Sequence, residues 1–180
     1  MSALETFISW GNDDMMAVKL DRKIIETLKL IHDVFQENEI RWVLAGSASL
    51  AIHGIDVRVE DIDVIADRDS ALKIARLLSD FQIEELKYSS SETYRSYRVV
   101  FSVNGVRVDV LGDLQERIGN RWIDLTWRID SAEKIEMYGR TFPLSPLADQ
   151  LRSYAGSDRE KDVEKAGKIL EAMGKFIQRP

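Results

Sequence analysis

The stretch GSASLAIHGIDVRVEDIDVIAD, residues 46–67, sets a Gly-Ser pair, a second glycine and two nearly adjacent aspartates within one short segment. Its last part, Ile62 to Ala66, has the composition of a buried strand, yet acids stand at Asp61 and Asp63. In a strand, residues i and i+2 share a face about 6.6 Å apart. Asp61 and Asp63 therefore share one face, while Ile62 and Val64 point into the core. Two carboxylates that close repel unless a cation lies between them. Mg²⁺ suits the place, because it takes hard oxygen ligands and keeps positions open for water or phosphate. The bland alternative is a strand with one solvated face.

Working outward, WVLA (residues 42–45) reads as a short buried strand, and residues 47–53 as a brief helix stopped by Gly54. Gly46-Ser47 thus lies where a strand gives way to a helix. Free backbone N–H groups and the helix dipole favour phosphate there, and glycine lets it approach closely. The Ser47 hydroxyl adds a donor. Upstream, residues 21–38 place Ile24, Ile25, Leu28, Ile31 and Phe35 at helical spacing behind the cap candidate Asp21. Downstream, Asp67 or Asp69 caps a helix through SALKIARLLSDF (70–81). Three strands follow: FQIEELKY (81–88), YRSYRVVFSV (94–103) and VRVDVL (106–111). Asn104-Gly105 between the last two is a two-residue hairpin signal.

In VRVDVL the valines 106, 108 and 110 alternate with Arg107, Asp109 and Leu111, which leaves Asp109 a lone acid on its strand. It is suited to hold a second ion or to act as base toward an acceptor hydroxyl. A pair of ions activates an attacking oxygen and stabilises a leaving one in phosphoryl chemistry. Residues 112–132 read as an irregular excursion. KIEMYGRTFPL (134–144) forms two short strands around Tyr138-Gly139. Pro146 opens a helix to Ala155, and Asp158 caps a last one over 159–174. This order predicts an α/β (α+β) fold with a mixed β-sheet flanked by helices. Residues 1–144 form the core with its N-terminal helix, and 145–180 form a helical extension packed on it.

The chain has 180 residues, 44% hydrophobic and 31% charged, which suits one globular domain with a sizeable core. A net charge of −6 argues against holding nucleic acid by general electrostatics. Without cysteine there is no disulfide, thiolate nucleophile or cysteine-bound zinc. His32 and His53 are too far apart in sequence to suggest a histidine-rich metal site. No apolar run approaches the roughly 20 residues that span a bilayer, and MSALETFISWGNDD has no basic leader pattern. A cytoplasmic protein with no membrane partner is expected.

The joint order of strand, Gly46-Ser47, short helix, Asp61-x-Asp63 strand and later acidic strand resembles the nucleotidyltransferase superfamily related to DNA polymerase beta. The resemblance covers about residues 40–112. It is nearest to a small bacterial and archaeal branch that includes toxins of toxin–antitoxin pairs and antibiotic-modifying enzymes. An arginine before the acid pair (Arg58) and an R-x-K-D helix (Arg159, Lys161, Asp162) fit that branch. The resemblance implies a nucleotidyltransferase fold, and transfer of a nucleoside monophosphate from an NTP such as ATP to an acceptor hydroxyl, with release of pyrophosphate. It implies catalytic and metal-binding roles for Asp61, Asp63 and Asp109 with two Mg²⁺ ions. It implies nucleotide binding by Gly46, Ser47, Arg58 and Lys161. The acceptor stays open among RNA ends, a protein hydroxyl and a small antibiotic, and an antitoxin-like partner is conceivable.

Other residues read more plainly. His53, before Gly54, is a capping or packing residue. Trp122 and Trp127 flank Asp124 and read as core or interface rather than a base-stacking pair. Met15-Met16 reads as packing, and the plain alternative for Lys161, of equal weight, is a solvated helix charge. The rival functional reading is a catalytically silent fold serving as a nucleotide sensor or protein-interaction module. A purely structural α/β protein is the third.

Overall fold

The computed structural model describes residues 20–177; Met15-Met16 lies outside them. Helix α1 (Arg22–Glu37) starts where the Asp21 carboxylate accepts from the Lys23 backbone N–H at 2.7 Å, and it buries Ile24, Leu28, Ile31 and Phe35. Strand β1 (Trp42–Ala45) is buried throughout and runs straight into α2 (Gly46–Ile52). Strand β2 (Asp61–Ala66) follows, then α3 (Arg68–Leu77). Of the two cap candidates Asp67 serves, accepting from the Ser70 N–H at 2.7 Å.

Next come β3 (Gln82–Ser90), β4 (Tyr94–Val103), β5 (Val106–Ile118), β6 (Arg121–Asp124) and the single turn α4 (Trp127–Asp130). Strands β7 (Glu133–Met137) and β8 (Arg140–Leu144) precede α5 (Leu147–Ala155) and α6 (Glu160–Ile177). The sheet order is β3-β4-β5-β2-β1-β8-β7, with β6 paired to β5. β2 runs parallel to β5 and antiparallel to β1, so the sheet is mixed, as the element order predicts.

The Asn104-Gly105 turn forms as read, with φ of 54° and 74°, the left-handed pair that a type I′ hairpin needs. It sets the β4–β5 register, Val103 opposite Val106 and Val100 opposite Asp109.

Residues 112–132 differ from the expectation of an irregular excursion. They continue β5 to Ile118, then form β6 and α4. Between the pairs Arg95–Gln115 and Tyr97–Gly112, β5 carries one residue more than β4, and Asp113 in that stretch has a positive φ. A bulge of that kind bends the strand and re-aims its side chains. Gly112 also lies hard against α3, where an added Cβ would stand 2.8 Å from that of Ala71.

The main core joins α1 and α3 to the sheet face that carries Ile62, Val64, Val99, Phe101, Val108 and Val110. With that face sealed by apolar contacts, the alternate residues of β2 and β5 face the other side. There α5 and α6 pack on α2 through Leu50, Ile55, Ile169, Leu147 and Leu151. His53, the C-cap of α2, is buried in this region, with Nε2 3.2 Å from the Ser145 carbonyl oxygen. Burial lowers its pKa to about 4, so it is a neutral packing residue. Among the described residues no helix is long and apolar enough to cross a membrane.

Candidate active site

The site grows from the pleat of β2. Ile62 and Val64 are fully buried on the core face, and Asp61 and Asp63 remain partly accessible on the other. Asp63 pairs in register with two neighbours, Ala45 of β1 on one side and Asp109 of β5 on the other. Ala45 leads directly into Gly46-Ser47, so the glycine turn and the third acid flank Asp63 from opposite sides.

Gly46 has φ of 65°, and a Cβ there would fall 2.1 Å from Asp63 Oδ2. Only glycine allows the carboxylate to rest against this backbone, and only glycine adopts the turn without strain. The Gly-Ser pair and the acid pair, 14 positions apart, are thus in contact.

The surroundings of Asp63 raise its pKa to about 6. Burial is the leading cause, followed by the charges of Asp61 and Asp109, with Lys165 and Lys161 partly offsetting them. Among the described residues neither Asp61 nor Asp63 accepts a side-chain hydrogen bond or forms an ion pair. Neighbouring carboxylates without a protein cation between them cost free energy that a bound cation relieves.

Asp109, the lone acid of VRVDVL, is held by neighbouring side chains. Its side chain is only 11% exposed, and both oxygens are already engaged. Arg98 Nε donates to Oδ1 at 2.8 Å, and Arg107 Nε to Oδ2 at 2.7 Å. The same guanidinium groups reach Glu84 of β3 at 2.8 and 3.1 Å, which closes a four-member ring of two arginines and two acids. As found, among the described residues, no three acids or histidines are gathered tightly enough to cage an ion.

A cavity of about 720 Å³ opens over these residues, lined also by Ser47, Tyr94, Tyr154 and the first turns of α6. From α6 it receives Lys161, Lys165 and Lys168, one helical face by the i, i+4, i+7 spacing. Lys165 Nζ stands 5.2 Å from the centre of the Tyr154 ring, and Lys168 pairs with Glu164 at 2.8 Å. The R-x-K-D segment divides its work. Asp162 is buried, accepts from the Ser157 hydroxyl at 2.7 Å and stands 3.6 Å from Arg159, whereas Lys161 faces the cavity. Arg58 lies at the rim with 87% of its side chain exposed, paired with Glu60 at 3.1 Å and touching neither Asp61 nor Asp63.

Behind Tyr94, which lines the cavity, lies a buried polar network. Glu116 of β5 accepts from the Tyr94 hydroxyl at 3.1 Å and from the Ser153 hydroxyl at 3.0 Å. Arg128 of α4 donates to Ser153 Oγ at 2.8 Å and to the Asp149 carbonyl at 3.0 Å. Burial holds both Tyr94 and Tyr154 above the usual phenol range, reinforced by Glu116 for Tyr94 and by Asp63 for Tyr154, so both stay neutral donors. This network ties the bent end of β5 to α5. The tryptophans lie elsewhere: Trp122 packs under Arg95, with 4.5 Å from guanidinium carbon to ring centre, and Trp127 is 39% exposed; neither lines the cavity.

Sequence reasoning passed over Arg98, Arg107, Lys165, Tyr94 and Tyr154. Two signals pointed to some of them. The Asn104-Gly105 turn sets Val100 opposite Asp109, which puts Arg98 on the diagonal. Lys165 follows Lys161 by one helical turn.

The family model of aminoglycoside-2''-adenylyltransferases matches residues 27–168 of this chain. No curated protein matches the sequence. Among solved structures, a Thermotoga maritima protein described as a nucleotidyltransferase shares 27% identity at a TM-score of 0.70, over 87% of this chain and 96% of that one. The lincosamide antibiotic adenylyltransferase LnuA, solved with lincomycin bound, is 16% identical at 0.57, over 83% of this chain and 96% of its own. The antibiotic-resistance factor ANT(2'')-Ia is 12% identical at 0.54, over 87% and 88%. At that identity the last two show likeness of fold alone.

Proposed function

The chain belongs to the aminoglycoside-2''-adenylyltransferase family, a family of nucleotidyltransferases, and from that premise we propose that Asp61, Asp63 and Asp109 carry a divalent-metal-dependent transfer from a nucleoside triphosphate. One observation carries this reading. Asp63 sits between Gly46-Ser47 and Asp109 with no protein cation against it, while Lys161 and Lys165 face it across the cavity.

The residues fit hard divalent ions such as Mg²⁺. Asp61 and Asp63 offer oxygen ligands only, and their unrelieved repulsion is what a bound cation removes. When bound, such ions would supply charge neutralisation and activation of oxygen. Asp61 and Asp63 would hold them, with Asp109 joining once its arginines release it.

The protein's own part follows from the layout. Gly46 and Ser47 offer backbone N–H groups and a hydroxyl to the triphosphate, ATP being the donor the adenylyltransferase relatives suggest. Lys161 and Lys165 neutralise the phosphates, and Arg58 closes over them from the rim. An acceptor hydroxyl enters from the β5 side, and its proton passes to Asp109. Its oxygen bonds to the α-phosphorus as the bond to pyrophosphate breaks. Residues 1–144 supply these acids, and the 145–180 extension supplies the lysines, which makes the two segments one working unit. The acceptor class stays open here among a small antibiotic, an RNA end and a protein hydroxyl.

A sensor that binds nucleotide without turnover would keep Gly46-Ser47 and the lysines, yet it has no use for three clustered acids. The test compares wild type with Asp63→Ala for melting temperature with ATP and Mg²⁺, and for pyrophosphate release. Saturation at about 100 times Kd stabilises the folded state by about 2.7 kcal/mol. Stabilisation that needs both ATP and Mg²⁺, and disappears in the variant, supports the reading. ATP with Mg²⁺ leaving the wild-type melt unmoved refutes it.

A further inference from the structure

We propose that Tyr154 is a positioning residue for Lys165: its ring holds the lysine side chain in place, so that the ammonium group meets the donor triphosphate. The proposal rests on the nucleotidyl-transfer reading above. The three lysines that α6 turns to the cavity are not equivalent. Lys168 is paired with Glu164 at 2.8 Å. Lys161 is exposed and, among the described residues, forms no ion pair. Lys165 forms none either, yet it is half-buried, with Nζ over the Tyr154 ring at 5.2 Å from its centre. At that distance the quadrupole of the ring attracts the ammonium group without neutralising it. The lysine therefore keeps its charge, and its remaining N–H donors, for an anion. A carboxylate partner such as the one on Lys168 competes with phosphate for both.

Tyr154 is itself fixed from several sides. Its neighbour Ser153 donates to Glu116 at 3.0 Å and accepts from Arg128 at 2.8 Å. One turn earlier, Gln150 donates to Ser49 at 3.0 Å and to the Ser145 carbonyl at 2.9 Å. These bonds tie α5 to β5, α4 and α2. The ring packs against the apolar cluster of Leu50, Ile55 and Ile169. Ile169 follows Lys165 by one helical turn, so burying the isoleucine brings the lysine to the same ring. Immobilising a long lysine side chain when a ligand binds costs free energy, and a ring that holds it beforehand removes part of that cost. Both groups lie within the field of Asp63. Burial and then Asp63 raise the pKa of Tyr154, and at Asp63 itself Lys165 offsets the effect of burial and the neighbouring acids more than Lys161 does. A triphosphate on Gly46-Ser47, beside Asp63, thus meets Lys165 already in place.

The test uses the full chain and a non-hydrolysable ATP analogue with Mg²⁺, titrated by calorimetry. Wild type is compared with Tyr154→Phe, Tyr154→Leu, Lys165→Met and the double variant Tyr154→Leu/Lys165→Met. Tyr154→Phe keeps the ring and should bind as wild type does. Tyr154→Leu should bind about three- to tenfold more weakly, which is what fixing one long side chain in advance is worth. Lys165→Met should also bind more weakly. The double variant should bind no more weakly than Lys165→Met, because the ring then has no lysine to hold.

Proton–carbon NMR of the Lys165 ε-methylene gives a second readout that needs no ligand. The ring current of Tyr154 should move that signal upfield in wild type and in Tyr154→Phe, and Tyr154→Leu should return it to the position of a solvated lysine. Methyl signals of Ile62 and Val64, on the opposite face of the sheet, should stay in place and show that the variants are folded. An unshifted Lys165 signal in wild type overturns the proposal. So does Tyr154→Leu binding as wild type does, Tyr154→Phe binding as weakly as Tyr154→Leu, or a double variant weakened by the product of the two single effects. Failure of wild type to bind the analogue with Mg²⁺ overturns instead the reading on which it rests.

Discussion

Replacing Asp63 by Asn tests whether the acid cluster is held against its own repulsion. Asp63 has its pKa raised from 3.8 to about 6, first by burial and then by Asp61 and Asp109. A raised carboxylate costs stability in its ionised form. The cost is absent below the unfolded value near 3.8, grows between that pH and about 6, and is constant above it. At 1.36 kcal/mol per unit, the shift corresponds to about 3 kcal/mol at neutral pH. Water reaching the partly exposed carboxylate, and the imperfect match of an amide, reduce the expected gain to about 1–2 kcal/mol. Asp63→Asn should therefore unfold at higher urea than wild type at pH 7.5 without metal, and the difference should shrink to near zero below pH 4. With millimolar Mg²⁺ the wild type should recover the difference and the variant should not respond. A variant less stable than wild type at pH 7.5, or a difference that does not change with pH, would sink the electrostatic account of the site.

Two further outcomes test the frame around it. Gly112→Ala puts a methyl group 2.8 Å from Ala71 Cβ, and backbone of α3 lies close by. It should cost about 1–3 kcal/mol in urea unfolding. Ala71→Gly in the same chain should return part of that, and strict additivity would refute the contact. At the other end of the sheet, Arg140 donates to both oxygens of Asp33 and is the main reason its pKa falls to about 2. That pair stabilises the fold above pH 3.8 and loses its effect as pH falls toward 2. Because the pair is solvent-screened, Arg140→Ala should lower stability at pH 6 only slightly. The Asp33 carboxyl titration followed by NMR should move upward toward 3.8. An unmoved midpoint would show that Arg140 does not set it.

How far the sequence reaches can be read residue by residue. Strict alternation exposed Asp61, Asp63 and Asp109 on their strands, and the Asn-Gly pair placed the β4–β5 turn. The Gly-Ser pair marked the strand-to-helix junction, because glycine's left-handed freedom is a local property. The reading of 112–132 failed because an extra residue in β5, between Gly112 and Gln115, interrupts the pairing pattern that reveals a strand, so the last third of β5 and β6 looked formless. Arg58 stands at the cavity rim with Glu60, a placement the sequence did not give, since nothing in a linear spacing says where an exposed loop arginine points.

The sequence by itself therefore determined the local elements, the mixed α/β order and the identity of the acids, all set by interactions within a few residues. Only the tertiary structure decided which of these groups meet. Parallel pairing of β2 with β5, two segments more than 40 residues apart, brought Asp109 beside Asp63. Docking of α6 on α2 turned a lysine face toward them. Arg98 became a partner of the third acid because cross-strand register, rather than sequence distance, brought it there, whereas Arg107 reaches Asp109 from two residues away on the same strand.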